Sequence, residues 1–229
     1  MPLVVAIDGP SGSGKSSTAR GVASRLGLDF LDTGAMYRAA TWLALHLGVN
    51  RDDSDAVAAL VHGATFDISV DPRNPRIAIN GQDVTRAIRE PEVSAAVSSV
   101  ATNLAVREHL VGEQQRLIRS ASRGIVAEGR DITTVVAPDA DVRVLLVADA
   151  AARVARRRAE LGDTVDAAAV TDQVIRRDRD DSTVAQFQAA APGVTVIDST
   201  ELGLPEVIEA ICALAPAAAA AVASEPTGS

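Results

Sequence analysis

Of the 22 lysine and arginine residues in the chain, only Lys15 is lysine. It lies in Gly9-Pro10-Ser11-Gly12-Ser13-Gly14-Lys15-Ser16, which fits the spacing G-x-x-x-x-G-K-[ST]. In that pattern the glycines let backbone N–H groups close around a phosphate, and the lysine reaches the outer phosphates as a slim point charge. Arginine replaces lysine on a surface at little cost, so a lysine kept in a glycine loop points to chemistry. Two further clusters of reactive side chains follow: Leu31-Asp32-Thr33-Gly34-Ala35-Met36-Tyr37-Arg38, and Glu128-Gly129-Arg130-Asp131. No His or Cys has the spacing of a metal site: His46, His62 and His109 are scattered, and Cys212 is a lone core filler near the C-terminus.

These clusters need a frame that brings them together. Leu3–Ile7 is a short apolar run ending at Asp8, as in a buried parallel strand, and a helical stretch from Ser16 to Leu26 closes at Gly27. Strand, glycine loop and helix N-terminus together form an anion site. Further strands are expected at Leu28–Leu31, Gly124–Ala127, Val142–Val147 and Gly193–Ile197. Helices are expected at Ala35–Leu47, Asp53–Val61, Pro91–Ala101, Leu104–Ala121, Ala150–Leu161, Asp166–Asp180 and Pro205–Leu214. Thr33 is read as the N-cap of the second helix. The alternation predicts an α/β fold with five parallel strands flanked by helices, its ligands beyond the carboxyl ends of the strands. One section departs: Phe66–Val70 and Ile77–Ile79 alternate with polar residues and Asn80-Gly81 is a hairpin turn signal, giving a small antiparallel insert over 64–84. Residues 1–215 read as one domain and 216–229 as a flexible Ala-rich tail.

Composition removes several classes. The formal net charge of −8 argues against a general nucleic-acid or anionic-membrane binder. No apolar stretch is long enough to span a membrane and the N-terminus lacks a basic leader, so a cytoplasmic protein is expected. A guanine-specific switch would carry Asn-Lys-x-Asp, which a chain with a single lysine at position 15 does not have.

The segments IDGPSGSGKS, LDTGAMYR, INGQDVTRAIREPEVSAAVSSVA, VREHLVGEQQR, EGRD and RRDRDDS, in this order, resemble the bacterial cytidylate kinases, which phosphorylate CMP and dCMP. The resemblance implies a P-loop nucleoside monophosphate kinase fold. Its monophosphate-binding region would cover about 33–105, including the insert, and a short helical lid about 150–182. It implies ATP, CMP or dCMP as ligands, Mg²⁺ as cofactor and a monomer. Gly9, Pro10, Ser11, Gly12, Ser13, Gly14, Lys15, Ser16 and Ser17 would hold the ATP phosphates. Ser98, Arg107 and Asp131 would read cytosine, a suitable set for a base with one amino donor and two acceptors. Arg177 and Asp181, at i and i+4, would bind the ribose. Thr33, Arg38 and Arg130 belong to the acceptor site. Arg153, Arg156 and Arg157 form one basic stripe on the lid helix, and Lys15, Arg130, Arg153 and Arg157 would neutralise the transferring group.

The acceptor is a phosphate monoester with a second pKa near 6, largely ionised at neutral pH. It needs no general base; the task is in-line positioning and neutralisation of charge. Ser16 is expected on the metal, with Asp32 or Glu128 supporting the metal's waters. The chain departs from the family pattern at Val184, where an acceptor-phosphate arginine is expected after Asp181-Ser182, and at Thr133, where the family has glycine. Two alternatives stay open: a P-loop kinase for another monophosphate or metabolite, and an ATP-binding regulatory protein with degraded kinase activity.

Overall fold

The elements in chain order are β1 (Val4–Asp8), α1 (Lys15–Leu26), β2 (Asp29–Asp32), α2 (Thr33–His46), α3 (Ser54–His62), β3 (Phe66–Ile68), β4 (Ile77–Ile79) and β5 (Gln82–Asp83). A 3₁₀ turn (Ala87–Arg89) leads to α4 (Pro91–Ala101) and α5 (Leu104–Ser120); then come β6 (Ile125–Gly129), a π-helical turn (Ile132–Val136), β7 (Val142–Val147), α6 (Ala150–Leu161), β8 (Thr195–Asp198) and α7 (Leu204–Cys212). This computed structural model describes residues 2–161, 171, 176, 178–185 and 187–216. The expected helix Asp166–Asp180 lies mostly outside the described residues, as do Arg177 and the tail beyond 216.

The apolar runs become one parallel five-stranded sheet in the order β2-β6-β1-β7-β8. Successive residues of a strand face opposite sides. Val5, Ile7, Val126, Val144 and Leu146 therefore pack with α1 and α7, through Val22, Ala23, Val207 and Ile211. Ala6, Ile125 and Ala127 pack on the other side with Met36, Leu43, Val97 and Leu110. Such two-sided burial is why these strands read as continuous apolar runs.

Register matters most for the site. Asp8 at the end of β1 stands beside Gly129, and Asp32 at the end of β2 beside Glu128. The carboxylates of three neighbouring strands thus arrive at one edge of the sheet.

The insert forms a second, antiparallel sheet in the order β3-β4-β5. Asn80 (φ 51°) and Gly81 (φ 78°) supply the two positive φ angles of a tight hairpin turn. The Phe30 N–H donates to the Val70 carbonyl at 2.8 Å, tying the insert to β2.

Two expectations are corrected. Asp32, not Thr33, caps α2: its carboxylate accepts from the Ala35 N–H at 2.8 Å, while the Thr33 hydroxyl donates to the Glu128 carbonyl at 2.8 Å. Thr33 is thereby the first residue of the helix and a tie between β2 and β6. The histidines are also not all apart in space: packing of α3 on α5 brings the His62 and His109 rings to 4.7 Å.

Candidate active site

The phosphate loop links β1 to α1 and is threaded so closely that side chains would not fit. A Cβ on Gly9 would stand 2.2 Å from the Leu146 carbonyl of β7, and one on Gly12, at φ +75°, 2.6 Å from the Arg153 carbonyl of α6. Gly14 precedes α1 with no side-chain cap, so the first-turn N–H groups of that helix stay available to an anion. Lys15 Nζ donates to the Pro10 carbonyl at 2.9 Å, lying back across its own loop. Ser17 is exposed in the first turn of α1.

The loop is also covered by α6 and the residues that pair with it. Asp149 starts α6, its carboxylate accepting from the Ala152 N–H at 2.6 Å. One turn on, Arg153 donates to the Ser11 carbonyl at 3.0 Å and pairs with Asp178. Arg156 donates to the Ser13 carbonyl at 3.3 Å and to Ser199 Oγ at 2.9 Å. Arg157 is likewise engaged. Asp178 accepts from the Ser11 N–H at 2.8 Å. A carboxylate therefore occupies a backbone donor of the phosphate loop and, at the same time, holds an arginine of α6.

Across the edge of the sheet, Thr33, Tyr37, Val97, Arg107, Asp131 and Val184 are among the residues around a cavity of about 50 Å³. Arg107 and Asp131 pair directly across it, with side chains 13% and 6% exposed. With the pair closed, the space left between these residues is small. Burial pushes the Asp131 carboxyl above its usual range against the opposing pull of Arg107. Tyr37 lines the same cavity, and burial raises its phenol to about 12.

Asp131 owes its place to the π-helical turn that follows it. Asp8 accepts from the Ile132 and Thr133 N–H groups, each at 2.8 Å, and from the Thr133 hydroxyl at 2.6 Å. The departure at Thr133 thus supplies a third bond to a buried carboxylate at the end of β1. The turn itself was not legible in the β-branched run Ile-Thr-Thr-Val-Val. π-Helical turns of this kind are often found at functional sites.

Arg130 is held on several sides: Nε donates to Asp181 at 2.7 Å, Nη1 to the Gly9 carbonyl at 2.9 Å, and Nη2 lies 3.4 Å from Asp178. Its guanidinium carbon sits 4.5 Å from the centroid of the Phe187 ring. Ser98 lies off the wall of the cavity and reaches it through Asp181, to which its hydroxyl donates at 3.1 Å. Val184, at the position of the expected arginine, lines the cavity with an apolar side chain.

Asp32 and Glu128 form the centre of negative charge. Arg38 pairs with Asp32 at 2.8 Å, and Ser16 Oγ donates to Glu128 Oε1 at 2.6 Å. Burial, then the charge of Asp32, raises the Glu128 carboxyl to about 7, although Lys15 and the Ser16 hydroxyl pull it down. Burial also acts to raise Asp32, but Arg38 and Arg89 outweigh it, and Asp32 falls below its usual range. A hydroxyl and two crowded carboxyl groups are hard oxygen donors, a set that fits Mg²⁺. Asp32 and Glu128 both stand beside Ser16 at this edge of the sheet.

The fold brings together the loop Gly9–Ser16, Thr33, Arg38, Arg107, Arg130, Asp131, Arg153 and Asp181, as expected from the sequence; Arg177 lies outside the described residues. Sequence reasoning missed Asp178, Asp8, Tyr37 and Phe187. Asp178 stood inside the recognised run RRDRDDS, but nothing local indicates that it reaches a loop 167 residues away.

The profile of the cytidylate kinase family matches residues 5–217. A cytidylate kinase of Cutibacterium acnes is 57% identical over 220 residues, covering 94% of this chain and 96% of that protein. Cytidylate kinases of Rhodococcus opacus (49% identical, covering 90% of this chain and 91% of that protein) and Streptomyces coelicolor (45%, covering 93% and 92%) are similar over nearly their full lengths. With a phosphate loop, an Arg–Asp pocket and the arginines of α6 meeting at one edge of the sheet, the chain belongs to the cytidylate kinase family.

Proposed function

We propose that this chain transfers the γ-phosphoryl group of ATP to CMP or dCMP, giving ADP and CDP or dCDP. The observation that carries the reading is the largely buried Arg107–Asp131 pair lining a cavity with Arg130, whose guanidinium also donates to the Gly9 carbonyl of the phosphate loop. A guanidinium donates to the acceptors of cytosine and a carboxylate accepts from its amino group. To admit the base, Arg107 and Asp131 must exchange each other for the ring, so pocket opening and base recognition are one event.

The loop amides, Lys15 and the first turn of α1 bind the donor phosphates; Arg153 and Arg157 close from the lid. Arg38 and Arg130 hold the acceptor phosphate, and Asp181 faces the sugar. Val184 offers that phosphate no charge, which leaves Arg130 and Arg38 with the larger share. The acceptor oxygen attacks in line and needs no base, since it is ionised already. Ser16, Asp32 and Glu128 would hold Mg²⁺, directly or through its waters; when bound, the ion neutralises charge on the donor phosphates. Glu128 would act there as its carboxylate. ATP as donor implies the cytoplasm, and the described residues contain no helix long and apolar enough to cross a membrane.

ADP release measured with CMP, dCMP, UMP and AMP tests the assignment. CMP or dCMP should turn over fastest; faster turnover with AMP would end it, and ATP binding without CMP-dependent turnover would leave a regulatory protein.

A further inference from the structure

We infer that Phe187 is a positioning residue for Arg130, fixing the plane of its guanidinium for the acceptor phosphate through the face of its ring. The inference rests on the reading of Arg130 given above.

Arg130 has two kinds of partner. Asp181 (2.7 Å) and Asp178 (3.4 Å) are anions; the Gly9 carbonyl (2.9 Å) and the Phe187 ring (4.5 Å to its centroid) carry no net charge. An arriving phosphate competes with the carboxylates for the same N–H groups and repels them. It repels neither neutral partner, and the ring takes none of the N–H groups that it needs. Once the acceptor binds, the carbonyl and the ring are what remain to orient the fork. One hydrogen bond leaves rotation about its own axis, whereas a ring face 4.5 Å from the guanidinium carbon restricts it. Bidentate recognition of phosphate by arginine depends on that plane.

The ring is fixed in turn. Phe187 is 1% exposed and packs with Leu145 of β7 and Ala185. The next residue of β7, Leu146, presents the carbonyl against which Gly9 is threaded. Arg130 is therefore aligned to the phosphate loop twice through one strand, by the Gly9 carbonyl and by the ring. A cation over an aromatic face gains most where both are removed from water, and the Arg130 side chain is 14% exposed.

A phenylalanine that only filled the core would be replaced by any apolar group of similar shape without a specific effect on CMP. The test is therefore electronic. Mono-, di- and trifluorophenylalanine at position 187 drain the ring face while nearly keeping its shape. We expect kcat/KM for CMP to fall stepwise with fluorination, by about three- to tenfold at the trifluoro ring, with KM for ATP unchanged. Phe187→Leu should match or exceed the trifluoro loss. No trend across the fluorinated series, or equal losses for CMP and ATP, would overturn the inference even if Phe187→Leu lowered the melting temperature. Arg130→Lys separates the two layers. If it leaves CMP kinetics intact, the acceptor role of Arg130 fails. If it harms them while the fluorinated series stays flat, only the role of Phe187 fails.

Discussion

The donor loop and the acceptor pocket share one edge of the sheet, yet they are built from different parts of the chain. The donor side is mainly backbone: amides of Gly9–Ser16 and the first turn of α1, shaped by glycines that lie against Leu146 and Arg153. The acceptor side is mainly side chain: Arg107 with Asp131, Arg38 with Asp32, Arg130 with Asp181. A backbone cradle recognises phosphate as such and is fixed by local sequence. A set of ion pairs is fixed by distant parts of the chain, and each pair must open before its side chains can bind a ligand. The difference teaches where selectivity lies and where affinity is held back. Asp178 crosses the division, sitting on the Ser11 amide while holding Arg153.

Breaking the acceptor side alone should give the largest effect. Asp131→Asn keeps shape but removes the carboxylate that reads the amino group and balances Arg107. We expect kcat/KM for CMP to fall about 10- to 100-fold, the range of a charged hydrogen bond, with KM for ATP unchanged. Equal losses for both substrates in steady-state kinetics would erase the distinction between the two sides.

The donor side should respond in the opposite direction to a change at Asp178. Asp178→Asn leaves an acceptor for the Ser11 N–H but no anion for Arg153, so ATP phosphates meet a weaker competitor. KM for ATP should drop about three- to tenfold in the same assay. A rise would mean that Asp178 supports the nucleotide-bound arrangement instead of competing with it.

The smallest effect concerns the seam between the sides, where Glu128 faces both Ser16 and Asp32. Its carboxyl is raised from 4.5 to about 7. A raised folded-state value means stability that is fully present below the unfolded value and lost as pH rises through the folded one. The nucleotide-free protein should therefore melt at progressively lower temperature from about pH 5 to about pH 8, by a few degrees. Glu128→Gln should remove that component; identical pH slopes for variant and parent would show that the proton resides elsewhere.

What the sequence disclosed follows the same division. The strand, glycine loop and α1 were legible because β1, the loop and the helix N-terminus are consecutive, and so was the Asn80-Gly81 hairpin, whose positive φ angles are local demands. The swap of caps between Asp32 and Thr33 was not, because it depends on the Glu128 carbonyl claiming the Thr33 hydroxyl across two strands. The π-helical turn was hidden because β-branched Ile132–Val136 reads as strand, while Asp8 caps it from another strand end. Asp178 and Phe187 act on partners 167 and 57 residues away in sequence respectively, a relation set by the sheet order and not by any local pattern. Family resemblance located Asp131 and Arg107; only packing shows that they close the pocket against each other.

Lys15 has a consequence for the life of the protein outside catalysis. Acetylation, and any other modification that acylates lysine side chains, finds one lysine in this chain, and it is the cation lying across the phosphate loop. Such a mark cannot accumulate harmlessly on the surface, as it does on lysine-rich proteins. On the proposed role of Lys15, each event removes the donor-site charge from one molecule, so the modified fraction and the inactive fraction would be the same number.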